Sequence, residues 1–241
     1  MARKQTKTPL VSVVIPVYNE EGLLHDAILS LDARLKELDY TYEIIITENG
    51  STDKTREIAY ALERKHDSVR VLIGDEPNYG KALRRGIIES KGTYVVCDEI
   101  DICDVEFHVT ALTILRDQKA DMVVGSKAHP DAQDKRPAFR RMGTMGINFL
   151  LRVFLDFHGT DTHGLKAFDR QALLSVVNRC IVDKDLFASE LVIRAERAQF
   201  RVVEVPIEIV EKRPPSINLT SRVPNVLKNL ARLFVAIRIR G

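Results

Sequence analysis

Four carboxylates fall within seven positions of the string VVCDEIDICD: Asp98, Glu99, Asp101 and Asp104. Anions so close together repel one another unless a cation neutralises them, and a hard divalent ion such as Mg2+ or Mn2+ takes oxygen ligands while also bridging phosphates. Two of the four are expected to hold a metal. The plain alternative is a solvated acidic turn in which Asp104 caps a helix starting at Val105. Upstream, VVIPVYNEEG ends an apolar run with Pro16, Tyr18, Asn19 and Glu20, and ITENGSTDKT ends another with Glu48, Asn49-Gly50-Ser51 and Asp53. Each string alone reads as a strand-to-helix turn, with Asn19 and Glu20, or Ser51, Thr52 and Asp53, as capping groups. Together they set a flat ring and several carboxylates around one cleft, a combination suited to a base and a ribose.

Elements that alternate in type must position these residues. Short β-branched runs at Leu10–Val17, Tyr42–Thr47, Val69–Ile73, Thr93–Asp98 and Asp121–Ser126 are separated by helical patterns at Glu20–Leu38, Thr52–Lys65, Tyr79–Ser90 and Val105–Gln118. Helices of crossover length between strands predict right-handed βαβ units and a mostly parallel, doubly wound sheet. Ligands bind beyond the carboxyl ends of such strands, where all three strings fall. Further on, Lys127 to Ala138 is polar and long for a connection, which suggests a mobile substrate loop. Helical patterns follow at Arg140–Leu155, Arg170–Asn178 and Asp185–Gln199, then a strand at Arg201–Val210, a loop at Lys212–Leu219 containing Pro214-Pro215, and a last helix at Val223–Ile239.

At 241 residues with 45% hydrophobic and 29% charged side chains, the chain is long enough to bury a core without staples, and it is neither collagenous nor disordered. Its 36 basic and 34 acidic residues leave a formal charge of +2, too balanced for a dedicated nucleic-acid binder. Cys97, Cys103 and Cys180 are odd in number and lack zinc spacing, and no apolar leader opens the sequence, so a reducing, cytoplasmic setting is expected. No stretch reaches the length of a membrane span. A nucleotidyltransferase is disfavoured because no Gly-rich, Lys-bearing phosphate loop follows the first strand.

The strings VSVVIPVYNEE, IITENGSTDKT, NYGKALRRGI, GTYVVCDEID and ADMVVGSK, in this order, resemble a family 2 glycosyltransferase with a GT-A fold. HGLKAFDR, ELVIRAERAQFRVVEVPI and EKRPPS resemble its branch similar to dolichol-phosphate mannose synthase, and the likeness covers about Leu10 to Ser216. The resemblance implies an α/β GT-A domain over residues 10–219, with a nucleotide-sugar half at 10–126 and an acceptor half at 127–219, preceded by a flexible basic arm at 1–9 and followed by an amphipathic helix at 220–241. It implies that Pro16, Tyr18, Glu20 and Glu48 contact the donor nucleotide, with Glu48 where an Asp usually meets the base. Glu99-Ile100-Asp101 falls on the family's Asp-x-Asp, which binds Mg2+ or Mn2+ and the donor diphosphate. Asp98 is the competing ligand if the register slips by one, and Asp104 or water completes the shell beside Cys103.

By the same resemblance Lys127, Arg140 and Arg141 meet an acceptor phosphate, and Arg213 reaches the donor diphosphate. For the Arg pair a solvated helix face is the alternative. Asp161 sits one position nearer Gly164 than the family pattern has it, and His163 is a polar neighbour with no assigned role. The chemistry implied is transfer of a hexose from a UDP- or GDP-sugar to a polyprenyl or dolichyl phosphate, with inversion at the anomeric carbon. Negative charge developing on the leaving diphosphate would be met by the metal and by Arg213. A phosphate acceptor is already an anionic nucleophile and needs positioning alone; a soluble hydroxyl acceptor would need a base, for which Asp185 and Glu190 are the candidates. Glu190 reads equally as an i,i+4 ion pair with Arg194. A nucleotide-sugar binder without turnover remains the alternative from another class. In the last helix Leu227, Leu230, Leu233, Phe234 and Ile237 alternate with Lys228, Arg232, Arg238 and Arg240, a pattern that either packs on the domain or lies peripherally on the cytosolic face of a membrane.

Overall fold

The computed structural model describes residues 8–132, 138–208 and 223–240. The predicted arm at 1–9 lies almost wholly outside them, as do Arg213 and the loop around Pro214-Pro215. Seven strands form one sheet in the order β3-β2-β1-β4-β6-β5-β7. β1 (Val11–Val17) pairs in parallel with β2 (Tyr42–Asn49) and β4 (Tyr94–Cys97), and β2 pairs with β3 (Val69–Gly74). β5 (Met122–Ser126) pairs in parallel with β7 (Val202–Pro206). Between β4 and β5 lies β6 (Lys166–Asp169), antiparallel to both. The sequence reading has no strand there: four residues, one of them Lys, with Asp169 at once capping the next helix through Ala172 N, carry too little period to register.

Helices cover both faces. α1 (Leu24–Lys36), α2 (Thr55–Lys65) and α4 (Val105–Arg116) pack Leu24, Ile28, Leu31, Leu62 and Leu112 against Val11, Val13, Ile15 and Ile44 on one side. On the other side α3 (Tyr79–Glu89), α5 (Ala138–Leu155), α6 (Arg170–Arg179), α7 (Phe187–Arg197) and α8 (Val223–Phe234, continuing as a π turn at Val235–Ile239) pack Leu83, Leu151, Val176, Phe187 and Leu233 against Val14, Ile45 and Val124. Alternate residues of β1 thus serve opposite layers, the period-two consequence of a strand covered on both faces.

Two helix starts differ from the expectation. The first two helices begin at Leu24 and Thr55 rather than Glu20 and Thr52, and neither has a side-chain cap at its N-cap residue. The polar groups read as caps lace the two turns together instead. Asn19 N donates to Ser51 Oγ at 3.0 Å, Thr52 N to Asn19 Oδ1 at 2.9 Å, Glu20 N to Thr55 Oγ1 at 2.7 Å, Glu21 N to Asp53 Oδ2 at 3.1 Å, and Lys54 N to Glu21 Oε2 at 3.0 Å. Gly50, at φ 73°, supplies the left-handed residue this turn requires.

Candidate functional site

Parallel register brings Val17 opposite Glu48 and Val14 opposite Cys97, so the turns after β1, β2 and β4 emerge at one edge. There Pro16, Val17, Tyr18, Glu20, Asn49, Pro77, Tyr79, Glu99, Ile100 and Asp101 line a cavity of about 390 Å³. Of the residues expected to bind donor, Pro16, Tyr18, Glu20, Glu99 and Asp101 are brought together. Tyr18 is exposed and lines this cavity.

The four clustered carboxylates divide into two pairs by partner. Asp98 and His108 of α4 are both fully buried, 2.6 Å apart between Oδ2 and Nε2, and Asp98 Oδ1 accepts the Glu99 N–H at 2.7 Å. Asp104 caps α4 by accepting from Phe107 N at 3.0 Å. Asp98 is thereby engaged by His108 and Asp104 by the start of α4. The Cys103 thiol turns back toward the Glu99 and Ile100 carbonyls. Glu99 and Asp101 remain facing the cavity. Burial pushes the Glu99 carboxyl up to about 7, with Asp101 and Asp98 adding repulsion and Lys127 and Lys166 opposing it. The same burial and the same acidic neighbours drive the Tyr79 phenol well above its ordinary range.

Two carboxylate oxygens on one turn, partly desolvated and mutually repelling, fit a hard divalent ion that takes its other ligands from water and a diphosphate. Among the described residues no group of three His, Cys, Asp or Glu side chains could hold a metal unaided. The donor set therefore suits an ion that arrives with, or is completed by, a phosphorylated ligand.

Cations gather across from the acids. The Lys127 ammonium lies 3.2 Å from Asp161 Oδ2. Burial alone would raise Asp161, but Lys127, the His163 N–H and Lys166 together hold it below the ordinary carboxylate range. Lys166, the first residue of β6, is buried, donates to Gly164 O at 2.6 Å, and is pushed down by desolvation against the pull of Cys97, Asp161 and Glu99. Because β6 runs antiparallel, its first residue and the turn before it reach the same edge as the carboxyl ends of β4 and β5. Gly164 permits this: a Cβ there would overlap the Gly125 carbonyl.

Other expected residues fall elsewhere. Glu48 is not on the wall of this cavity; its fully buried carboxylate accepts from Ser51 N and from Arg56 Nε at 3.2 Å, and the residue lines a smaller adjoining cavity with Asn49, Asp75 and Asn78. Glu190 makes the expected i,i+4 ion pair with Arg194, buried where a surface pair was the expectation: it accepts from Ile181 N, Val182 N and Arg194 Nε, and Arg194 Nη2 reaches Ala236 O. The His163 ring meets Thr162 Oγ1 at 3.1 Å. Arg140 and Arg141 lie in α5 and Asp185 in a 3-10 turn before α7, with their side chains outside the described residues. Sequence reasoning passed over Tyr79, Lys166, Asn49 and Asn78. Asn78 caps α3 and also accepts from Lys184 N, while its own N–H goes to Asn49 Oδ1; an Asn just before a helical pattern was the only signal available.

Comparison with known proteins places this geometry. The family model described as glycosyl transferase family 2 matches residues 12–175. The chain is 28% identical over 235 residues to the glycosyltransferase AglD of Haloferax volcanii, covering 95% of this chain and 38% of that protein. It is 31% identical over 222 residues to the human dolichyl-phosphate beta-glucosyltransferase, covering 85% of this chain and 68% of the relative. The chain thus spans from about two fifths to about two thirds of the curated relatives it matches. Among solved structures, glucosyl-3-phosphoglycerate synthase from Mycobacterium tuberculosis with Mn2+, UDP and its product superposes with a TM-score of 0.61 at 16% identity, over 95% of this chain and 79% of that one. The same enzyme with Mg2+ and UDP gives 0.64 at 19%, over 93% and 79%. At such identities the likeness is one of fold, that of a mixed α/β glycosyltransferase domain. The family model over residues 12–175, with the 31% identity to a relative covered to 68%, shows that the chain belongs to glycosyl transferase family 2.

Proposed function

We propose that this chain transfers a hexose from a nucleoside diphosphate sugar, UDP- or GDP-linked, to a polyprenyl or dolichyl phosphate at the cytosolic face of a membrane. The observation that carries the reading is the pair Glu99 and Asp101 lining one cavity with Tyr18, with Lys127 and Lys166 near enough to act on the Glu99 carboxyl. The AglD and dolichyl-phosphate glucosyltransferase relatives support the acceptor class. Glu99 and Asp101 would hold Mg2+ or Mn2+, which supplies charge neutralisation for a diphosphate leaving group. Tyr18 and Pro16 offer the base a flat apolar seat, and Glu20 lies within the same wall. Lys127, kept in place by Asp161, meets an acceptor phosphate, with Arg140, Arg141 and Arg213 as further basic contacts from the sequence. A phosphate oxygen attacks as an anion, so no base is required; Glu190, walled in, is not needed as one.

The test is release of nucleoside diphosphate from a panel of UDP- and GDP-sugars with Mg2+ or Mn2+, with and without a short polyprenyl phosphate, alongside Asp101→Ala. Release that depends on both the lipid phosphate and Asp101 is expected, with a loss of about 10²-fold or more in the variant. Release equally fast with soluble hydroxyl acceptors would move the acceptor class, and donor binding without turnover would make the chain a binder.

A further inference from the structure

Tyr79, the first residue of α3, lines the cavity beside Glu99 and Asp101. Its ring packs against the buried cluster that includes Leu83, Cys97 and Phe187, so its polar tip is the end that meets the cavity, as suits a side chain with one apolar and one wet end. The ionisable groups that act on that tip are Glu99, Cys97, Asp98 and Asp101, all anionic when charged. They keep the phenol protonated, a donor that adds no negative charge of its own. Among the described residues nothing is hydrogen-bonded to the Tyr79 hydroxyl. The backbone on either side is pinned. Asn78 is buried; its N–H donates to Asn49 Oδ1 at 2.7 Å, its Oδ1 accepts from Lys81 N at 3.0 Å and Lys184 N at 2.8 Å, and its Nδ2 donates to Asp183 Oδ2 at 2.9 Å. Gly80 approaches the same segment so closely that a Cβ there would stand 2.6 Å from the Lys184 carbonyl oxygen and 2.7 Å from Phe187 Cβ. Tyr79 is therefore held at the cavity wall before any ligand arrives. A fixed donor without a partner in its own fold points to a partner from outside it.

Position selects the ligand. Tyr18 and Pro16 stand at the end of β1, and Glu99 and Asp101 just beyond β4. A nucleoside diphosphate with its base on Tyr18 and its cation on Glu99 and Asp101 has its phosphate oxygens at those acids, the groups that act on Tyr79. A phosphate oxygen is an anionic acceptor, and hydrogen bonds to such acceptors are about twice as strong as those between neutral groups. The residue type suits this place. A Lys or Arg beside the acids would pair with them and compete with the metal ion, whereas a phenol offers a donor and leaves both carboxylates to the ion. We propose that the Tyr79 hydroxyl donates a hydrogen bond to a diphosphate oxygen of the donor, a contact made once the cation has been seated. No proton is transferred. The proposal rests on the reading of the chain as an enzyme of diphosphate-linked sugars, to which it adds a contact from α3.

The experiment is calorimetric titration of the 241-residue chain and of Tyr79→Phe with inorganic pyrophosphate, UDP and GDP, each in the presence of Mg2+, and with Mg2+ alone. Phe fills the same space as Tyr, so the variant should keep the wild-type thermal midpoint and bind Mg2+ alone as the wild type does. It should bind pyrophosphate and the responsive nucleotide about tenfold more weakly, by a similar factor for each. A tyrosine that serves packing alone would leave every one of these affinities unchanged. The proposal is overturned by a variant that binds the diphosphates as tightly as the wild type, or by a loss confined to the nucleotide and absent with pyrophosphate, which would put the hydroxyl on the ribose. A wild type that binds pyrophosphate but neither nucleotide, with the loss present in the variant, upholds the Tyr79 contact and overturns the nucleotide-sugar reading. A wild type that binds none of the three overturns both.

Discussion

Replacing Glu99 by Gln should make the metal-free protein more stable at alkaline pH. Glu99 rises from an ordinary 4.5 to about 7 in the fold, so folding favours its neutral form. Between those two values the unfolded chain has lost a proton that the folded chain keeps, and stability falls as pH rises. At about 1.4 kcal/mol per decade the full displacement is about 3 kcal/mol; the side chain is only partly buried, and solvent screening reduces the cost to about 1–3 kcal/mol. Gln keeps the shape and cannot ionise. Urea unfolding in the presence of a chelator is the assay: wild type and Glu99→Gln should agree near about pH 4 and separate by about 1–3 kcal/mol, the variant higher, above about pH 8. Adding Mn2+ with UDP should reverse the order by stabilising the wild type alone. A wild-type minus variant difference that stays flat from acid to alkaline pH would refute the reasoning, because it would mean that Glu99 ionises freely and that nothing in the fold is waiting for a cation.

Three further outcomes follow from named contacts. His108→Leu leaves Asp98 buried with its Oδ2 unpaired, so the variant should lose about 3–5 kcal/mol in denaturant unfolding and need more Mn2+ for half-maximal rate, since Asp98 also holds the Glu99 backbone. Gly164→Ala forces a methyl into the Gly125 carbonyl and should cost about 1–3 kcal/mol or more, read as a drop in thermal midpoint, whereas Gly143→Ala on open helix surface should be neutral or stabilising. Lys166→Met removes a buried cation that holds Glu99 down; the pH at which Mn2+ binding is half-maximal should move upward, and an unchanged midpoint would show that Lys166 does not act on the acidic pair.

The parallel part of the sheet was legible because its strands are β-branched runs buried on both sides, and periodicity reports burial directly. Which carboxylates remain free was not, since Asp98 and Asp104 differ from Glu99 and Asp101 only in the tertiary partners His108 and Phe107 N. The partners of Glu48 were hidden for the same reason: Arg56 and the turn of Ser51 curl back to claim its carboxylate. In α8 the amphipathic pattern was correctly read, but a pattern shows that a face will be covered and is silent about by what.

The antiparallel strand β6 has a consequence for the order in which the chain assembles. Cys97 pairs with Lys166, roughly seventy residues later, so the edge of β4 has no neighbour until most of the domain has been synthesised, and contacts of such separation close slowly. Until then β5 has nothing to join it to the strands made before it. A nascent chain released or stalled before residue 166 would carry the four-stranded β3-β2-β1-β4 fragment with an open edge at β4, and β5 as a lone apolar strand, the kind of surface on which chains aggregate. The last strand to be inserted into the middle of the sheet is also the one that brings Lys166 to the acidic pair, so the site acquires its buried cation at the same moment that the sheet becomes continuous.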